Sequence, residues 1–142
     1  MSDSFAGCPV IVTGGTRGIG KGIAAAFVSA GANVLITGRD ADAGHQVTED
    51  LNHIGNGTCR FLKADVAHRD SADRMVEYAL ETLGGIQVLC ANAGIYPSKT
   101  LDDMTDDDLD QVIGTNLKGN IFSVQACIPA LAASGQGRII LI

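Results

Sequence analysis

The stretch Val10-Ile11-Val12-Thr13-Gly14-Gly15-Thr16-Arg17-Gly18-Ile19-Gly20 decides the fold. Its apolar β-type residues run directly into a glycine loop, and behind the loop Ile19, Ile23 and Phe27 recur at helical spacing. Strand, tight turn and helix follow one another within a dozen residues. Glycines let the backbone turn sharply and come within contact distance of a ligand, while a helix N-terminus offers unpaired N–H groups and a partial positive charge to an anion. Between the first strand and first helix of a βαβ unit, such a loop is a dinucleotide-binding signature.

Outward from the loop the same alternation continues. Short apolar runs at Val10 to Thr13, Asn33 to Thr37, Thr58 to Leu62, Ile86 to Ala91 and Arg138 to Ile142 are separated by segments of helical period. In the third such segment Ala72, Met75, Val76, Ala79, Leu80 and Leu83 trace an apolar stripe, and between Thr105 and Ser134 a long helix shows another, Leu109, Val112, Ile113, Leu117, Ile121, Val124 and Ile128. The runs lack polar alternation, as strands covered on both faces do. The expected fold is α/β, a doubly wound parallel sheet with helices on both faces, as right-handed crossovers require. Nothing divides the chain, so residues 1–142 read as a single domain.

Composition narrows the function. The 142 residues include 18 glycines, five of them between Gly14 and Gly22, and 46% hydrophobic residues, which excludes a disordered chain. Ten basic against 16 acidic residues give a net charge of −6, and aromatics are only 4%, so nucleic acid is a poor partner. Six of the acids lie between Asp102 and Asp110. Thr105 followed by Asp106, Asp107 and Asp108 reads as an N-cap and an acidic first turn rather than a cation site. Cys8, Cys59, Cys90 and Cys127 have no metal-ligand spacing and read as buried free thiols, and His45, His53 and His68 read as surface residues, so no metal is expected. Met1-Ser2-Asp3-Ser4 has no leader character and no apolar run approaches a membrane span, which places the protein in the cytoplasm and off the membrane.

Three motifs in order carry a family likeness. Gly14, Gly18 and Gly20 form a TGxxxGxG pattern, Asp65-Val66 follows the third strand, and Asn92-Ala93-Gly94 follows the fourth. With these the sequence resembles the classical short-chain dehydrogenase/reductase family over essentially its whole length. The resemblance implies a Rossmann fold, with Gly14, Thr16, Arg17, Gly18, Ile19 and Gly20 around the pyrophosphate and adenosine ribose. It further implies Asp65 and Val66 at the adenine, and Asn92, Ala93 and Gly94 beside the nicotinamide ribose. Charge argues for the cofactor. An NAD site places a carboxylate at the end of the second strand, whereas here Thr37-Gly38-Arg39 has none, and Arg17 and Arg39 suit a 2′-phosphate. Asp40 reads as the cap of the second helix, so the expected cofactor is NADP.

Asn116 falls on the stripe of the long helix and is expected to face inward. Its amide there needs partners, for which a neighbouring carbonyl exposed where Gly114 and Gly119 loosen the helix is one reading. The resemblance supplies another, in which Asn116 is the catalytic Asn that holds a water and a Lys in a proton relay. The same resemblance implies a Ser after the fifth strand and a Tyr-x-x-x-Lys pair, and neither Tyr78 nor Tyr96 has a Lys four residues on. The chain stops inside the fifth strand, at Ile139-Ile140-Leu141-Ile142, so it reads as the N-terminal part of a longer enzyme, inactive alone. The expected activity is NADP(H)-dependent hydride transfer with a carbonyl or acyl-thioester substrate, most like a 3-oxoacyl-(acyl-carrier-protein) reductase of fatty acid biosynthesis. A sugar or steroid alcohol dehydrogenase, a non-catalytic dinucleotide-binding module and an FMN protein are the alternatives. The resemblance also implies a homo-oligomer, tetramer or dimer.

Overall fold

The computed structural model describes residues 4–142; Met1, Ser2 and Asp3 lie outside it. Five parallel strands form one sheet, β1 (Pro9–Thr13), β2 (Asn33–Gly38), β3 (Thr58–Lys63), β4 (Val88–Ala91) and β5 (Arg138–Leu141), in the order β3-β2-β1-β4-β5. The helices between them are α1 (Gly18–Ser29), α2 (Ala41–Ile54), α3 (Arg69–Leu83), and a long run made of α4 (Asp106–Val112), a π-helical segment Ile113–Lys118 and α5 (Gly119–Ala133). The chain moves outward from β1 in one direction, then crosses back to β4 on its other side. That reversal between β1 and β4 is the switch point at which doubly wound sheets bind ligands.

Side-chain alternation divides each central strand between two cores. Val10, Val12, Val34 and Ile36 pack with Ala24, Val28, Val47 and Leu51 of α1 and α2, whereas Ile11, Leu35 and Leu89 pack with Met75 and Ala79 of α3 and Cys127 and Leu131 of α5. Register keeps the layers aligned, with Val10 paired to both Val34 and Val88. The caps follow from local chemistry. Asp40 accepts from the Ala43 N–H at 3.1 Å, and Thr105 forms a reciprocal capping box with Asp108.

Two helix faces differ from expectation. In α1 the inward residues are Gly20, Ala24 and Val28, one position on from the expected stripe, and Ile19 is 68% exposed. The reason is size, because a face of small residues lets the helix lie close to β1. A Cβ at Gly20 would fall on the carbonyl of Gly14. In α5 the inward row is Gly119, Ser123, Cys127 and Leu131, whereas Leu109 of α4, Ile113 and Leu117 of the π-helical segment, and Ile121 and Ile128 of α5 are all at least 40% exposed. Five residues of the expected core stripe therefore form an outer face, while Val112 is half-buried and Val124 packs against the core as expected. Strand β5 shares its exposure along its whole length. In α3 Ala72, Met75 and Ala79 are buried as expected, while Leu80 is exposed.

The thiols of all four cysteines are buried and free. Burial pushes Cys127 up to about 12 and Cys59 and Cys90 up to about 11, so all three are neutral and inert at physiological pH. His45, His53 and His68 are exposed. Among the described residues no helix is long and apolar enough to cross a membrane.

Candidate functional site

The site is built on the hydrogen bonding of Thr13, the last residue of β1. Its Oγ1 accepts from both the Asn92 and Ala93 N–H groups, each at 3.0 Å, while the Asn92 amide Nδ2 donates to the carbonyls of Thr13 (3.0 Å) and Gly14 (3.2 Å). Four bonds thus tie the loop after β1 to the loop after β4 across the switch point. Gly14 has φ +65°, and a Cβ there would stand 2.8 Å from Ala93 Cα, so only glycine serves.

Above this floor lies a cleft of about 400 Å³, and every cofactor-binding residue singled out from sequence lines it. Gly14, Thr16, Arg17, Gly18, Ile19 and Gly20 form one wall, Arg39 and Asp65-Val66 another, and Asn92, Ala93 and Gly94 close the end beyond β4. The glycines differ in purpose. Gly14 and Gly20 are small because protein atoms press on them, whereas Gly18, at φ +52°, has nothing within 4 Å of a built Cβ and leaves open space at the start of α1.

The cleft has the electrostatics of an anion site. The N-cap of α1, Arg17, makes no side-chain cap bond and its first turn holds no acid, so N–H groups of a twelve-residue helix remain for a ligand. Arg17 and Arg39 are exposed on the rim. Of the two carboxylates in the lining, Asp40 is engaged as the cap of α2 and Asp65 accepts from the Ala67 N–H. Thr37 was not anticipated. It lines the cleft, is 1% exposed, and its Oγ1 is buried without a hydrogen-bond partner.

Asp65 and Val66 have structural duties as well. Asp65 Oδ1 accepts from the Ala67 N–H at 3.0 Å and shapes the turn after β3. Val66 is buried, and a Cβ on Gly119 would come within 2.7 Å of its Cγ2, which brings the start of α5 hard against this turn.

Asn116 departs from expectation in one respect. It is exposed rather than inward-facing, because the face it shares with Ile113 and Leu117 is the outer one. Its amide nonetheless has a partner for each of its two polar atoms. Oδ1 accepts from the Ile95 N–H at 2.8 Å and Nδ2 donates to the Ile95 carbonyl at 2.9 Å, so the partner carbonyl belongs to the loop after β4. The helix does loosen between Gly114 and Gly119, where the π-helical segment lies, and Asn120 Nδ2 donates to the Asn116 carbonyl at 2.8 Å. Asn116 itself does not line the cleft, but its neighbours Thr115 and Ile95 do.

Sequence reasoning passed over Thr13, Thr37, Ile95 and Asn120. A Thr directly before the glycine loop and an Asn four residues after Asn116 were visible, but hydrogen bonds spanning 79 residues carry no local signal.

Comparison with known proteins gives a consistent result. The family model described as short chain dehydrogenase matches residues 9–142. The chain is 34% identical over 141 residues to an NADP-dependent (R)-specific alcohol dehydrogenase of Lentilactobacillus kefiri, covering 99% of this chain and 55% of that protein. It is 36% identical over 140 residues to a 3-oxoacyl-(acyl-carrier-protein) reductase of Chlamydia pneumoniae, covering 99% and 56%. Among solved structures, a short chain dehydrogenase from Burkholderia cenocepacia J2315 in complex with NADP superposes with TM-score 0.87 at 32% identity, over 96% of this chain and 55% of that one. The chain spans about half the length of the curated relatives it matches.

Proposed function

Because this chain belongs to the short-chain dehydrogenase family, we propose that it supplies the dinucleotide-binding part of an NADP(H)-dependent oxidoreductase, one that moves hydride between nicotinamide and a carbonyl or alcohol. The single observation that carries the cofactor reading is the β2 end. Two guanidinium groups, Arg17 and Arg39, stand on its rim with no free carboxylate beside them. A 2′-phosphate gains there, and a bare ribose diol lacks the acceptor it needs.

The residues present fit the cofactor. The uncapped N-terminus of α1 would face the pyrophosphate across the space left by Gly18, Arg17 and Arg39 would take the 2′-phosphate, Asp65 and Val66 would border the adenine, and Asn92 to Gly94 the nicotinamide ribose. When bound, the cofactor supplies the hydride. Asn116, through its two bonds to Ile95, holds the loop over the reacting end, and this is the role we assign it in the proton relay.

As substrate we favour a 3-oxoacyl thioester, on the likeness to the chlamydial reductase; the likeness to the alcohol dehydrogenase supports a simple alcohol or ketone instead. Neither tyrosine here stands four residues before a Lys, so these 142 residues alone are expected to bind cofactor without turnover. We further read them as one domain of a cytoplasmic homo-oligomer acting on small molecules.

Titration of nicotinamide fluorescence tests the cofactor assignment. NADPH is expected to bind at least tenfold tighter than NADH, and Arg39→Ala to remove most of that preference, since a charge-assisted bond contributes about 1.5–3 kcal/mol. An unchanged NADPH/NADH ratio in Arg39→Ala overturns it. Reduction of acetoacetyl thioesters against simple ketones, assayed in any longer protein that carries these residues, decides the substrate class.

A further inference from the structure

The strand order leaves β3 at an edge of the sheet, with β2 on one side and, among the described residues, no strand on the other. A parallel ladder takes its bonds from alternate residues. Thr58 and Ala64 donate their N–H groups to the Ala32 and Gly38 carbonyls, each at 3.0 Å, so Thr58, Arg60 and Leu62 face β2 while Cys59, Phe61 and Lys63 turn their backbone groups outward. An outward row of this kind is a template for another strand. At Cys59 the template is already taken. Its N–H donates to Asn52 Oδ1 at 2.7 Å, and Asn52 Nδ2 donates to its carbonyl at 3.1 Å. Both polar atoms of one side-chain amide thus pair with one residue's backbone, as an antiparallel strand would. Asn52 reaches that place from the last turn of α2 because the connection is drawn in tightly: a Cβ on Gly55 would fall on Val28, and one on Gly57 on the Ala32 carbonyl.

We infer that Asn52 is an edge cap: its side-chain amide closes the β3 edge against strand addition by a second copy of this chain. The occupant follows from symmetry. Each copy brings the same outward row, and two such rows running antiparallel about a two-fold axis satisfy each other, with Phe61 opposite Phe61 and Cys59 opposite Lys63. Asn52 stands on the ground that the Lys63 backbone of the other copy would need. With it in place only the Phe61 pair forms, about two hydrogen bonds, and without it the row offers about six. The inference is independent of the cofactor reading, because none of Asn52, Cys59, Phe61 and Lys63 lines the cleft. Asn52 also braces the turn between α2 and β3, and the two duties separate cleanly. Loss of a brace costs stability alone, whereas loss of a cap changes assembly.

Sedimentation velocity and amide-resolved hydrogen exchange test the cap. In the parent, the Cys59 N–H is expected to exchange at least about tenfold more slowly than those of Phe61 and Lys63, which face water. Asn52→Ala is expected to remove that protection and, at low protein concentration, to lower Tm by about 4 °C. As concentration rises, its sedimenting species is expected to reach about twice the parent's mass, and the Phe61 and Lys63 N–H groups to become protected. A species no larger than the parent's at any concentration overturns the proposal. Growth that leaves Phe61 and Lys63 exchanging freely overturns it as well, since association then lies elsewhere. So does equal protection of Cys59, Phe61 and Lys63 in the parent, because the edge is then already covered. Should circular dichroism show Asn52→Ala unfolded, Asn52→Ser, whose hydroxyl is too short to span both backbone groups, carries the same comparison.

Discussion

The two helices that open and close the described chain, α1 and α5, pack on opposite faces of the sheet and make opposite use of their apolar residues. Both turn inward a row that starts with small side chains, Gly20 and Ala24 ahead of Val28 in one and Gly119, Ser123 and Cys127 ahead of Leu131 in the other. Around α1 the partly buried Ile23 and Phe27 find cover in the core beside α2, whereas around α5 Ile121 and Ile128 remain 45% and 50% exposed. An apolar period of four thus identifies a helix but not its buried face. Which face is buried follows from how closely the helix must approach its neighbour, and close approach selects small residues.

The largest expected effect sets the core beneath α5 against the outer face of that helix. Leu35→Ala, in the buried middle of β2, is expected to cost about 2–5 kcal/mol in urea unfolding, and Ile128→Ala on the outer face of α5 less than about 1 kcal/mol. Comparable losses at the two sites would show that the outer face is covered in solution.

Thr13→Val comes next. It strips the acceptor from two N–H groups at the cleft floor, with an expected cost of about 2 kcal/mol and a weakening of NADPH binding of about tenfold. Stability falling while NADPH affinity holds would mean that the floor does not set the geometry of the cleft.

Asn120→Ala removes the side-chain donor to the Asn116 carbonyl in the π-helical segment, and is expected to cost about 1 kcal/mol. Hydrogen exchange localised to residues 113–120 checks it, and no change there would assign the π turn to the flanking glycines alone.

The smallest effect lies at the N-terminus of α4. The hydrogen bond from Lys99, at 2.6 Å, together with the Thr105 N–H and hydroxyl, holds the Asp108 carboxyl at about 2, below the ordinary 3.8. A folded value below the unfolded one means that this contribution is complete above pH 3.8 and is lost as pH falls toward 2. Asp108→Asn is expected to flatten the pH dependence of Tm in that window and leave it unchanged near pH 7. An identical slope in the variant would remove Asp108 from the acid transition.

What the sequence made legible was local chemistry. The glycine loop, the β–α alternation, the Asp40 and Thr105 caps and a loosening of the helix between Gly114 and Gly119 each follow from residues a few positions apart, although the π form of that loosening did not. Every cofactor-binding candidate stands around the cleft for the same reason, since all of them follow strand ends. The rest depended on distant partners. The one-residue rotation of α1 is set by the Gly14 carbonyl against Gly20, and the exposure of Asn116 by which face of the π-helical segment is turned outward. The double acceptance by Thr13 needs β4 beside β1 before it exists.

The Thr13 hydroxyl has a consequence for the timing of ligand exchange. Because the floor is bonded across the switch point before any ligand arrives, little conformational entropy remains to be lost there on binding, so the floor contributes to affinity through pre-organisation. Arg17 and Arg39 lie on the exposed rim, outside that clamp. A nucleotide can therefore enter and leave by rearrangement of rim side chains while β1 and β4 stay locked together, and its residence time becomes a property of the rim.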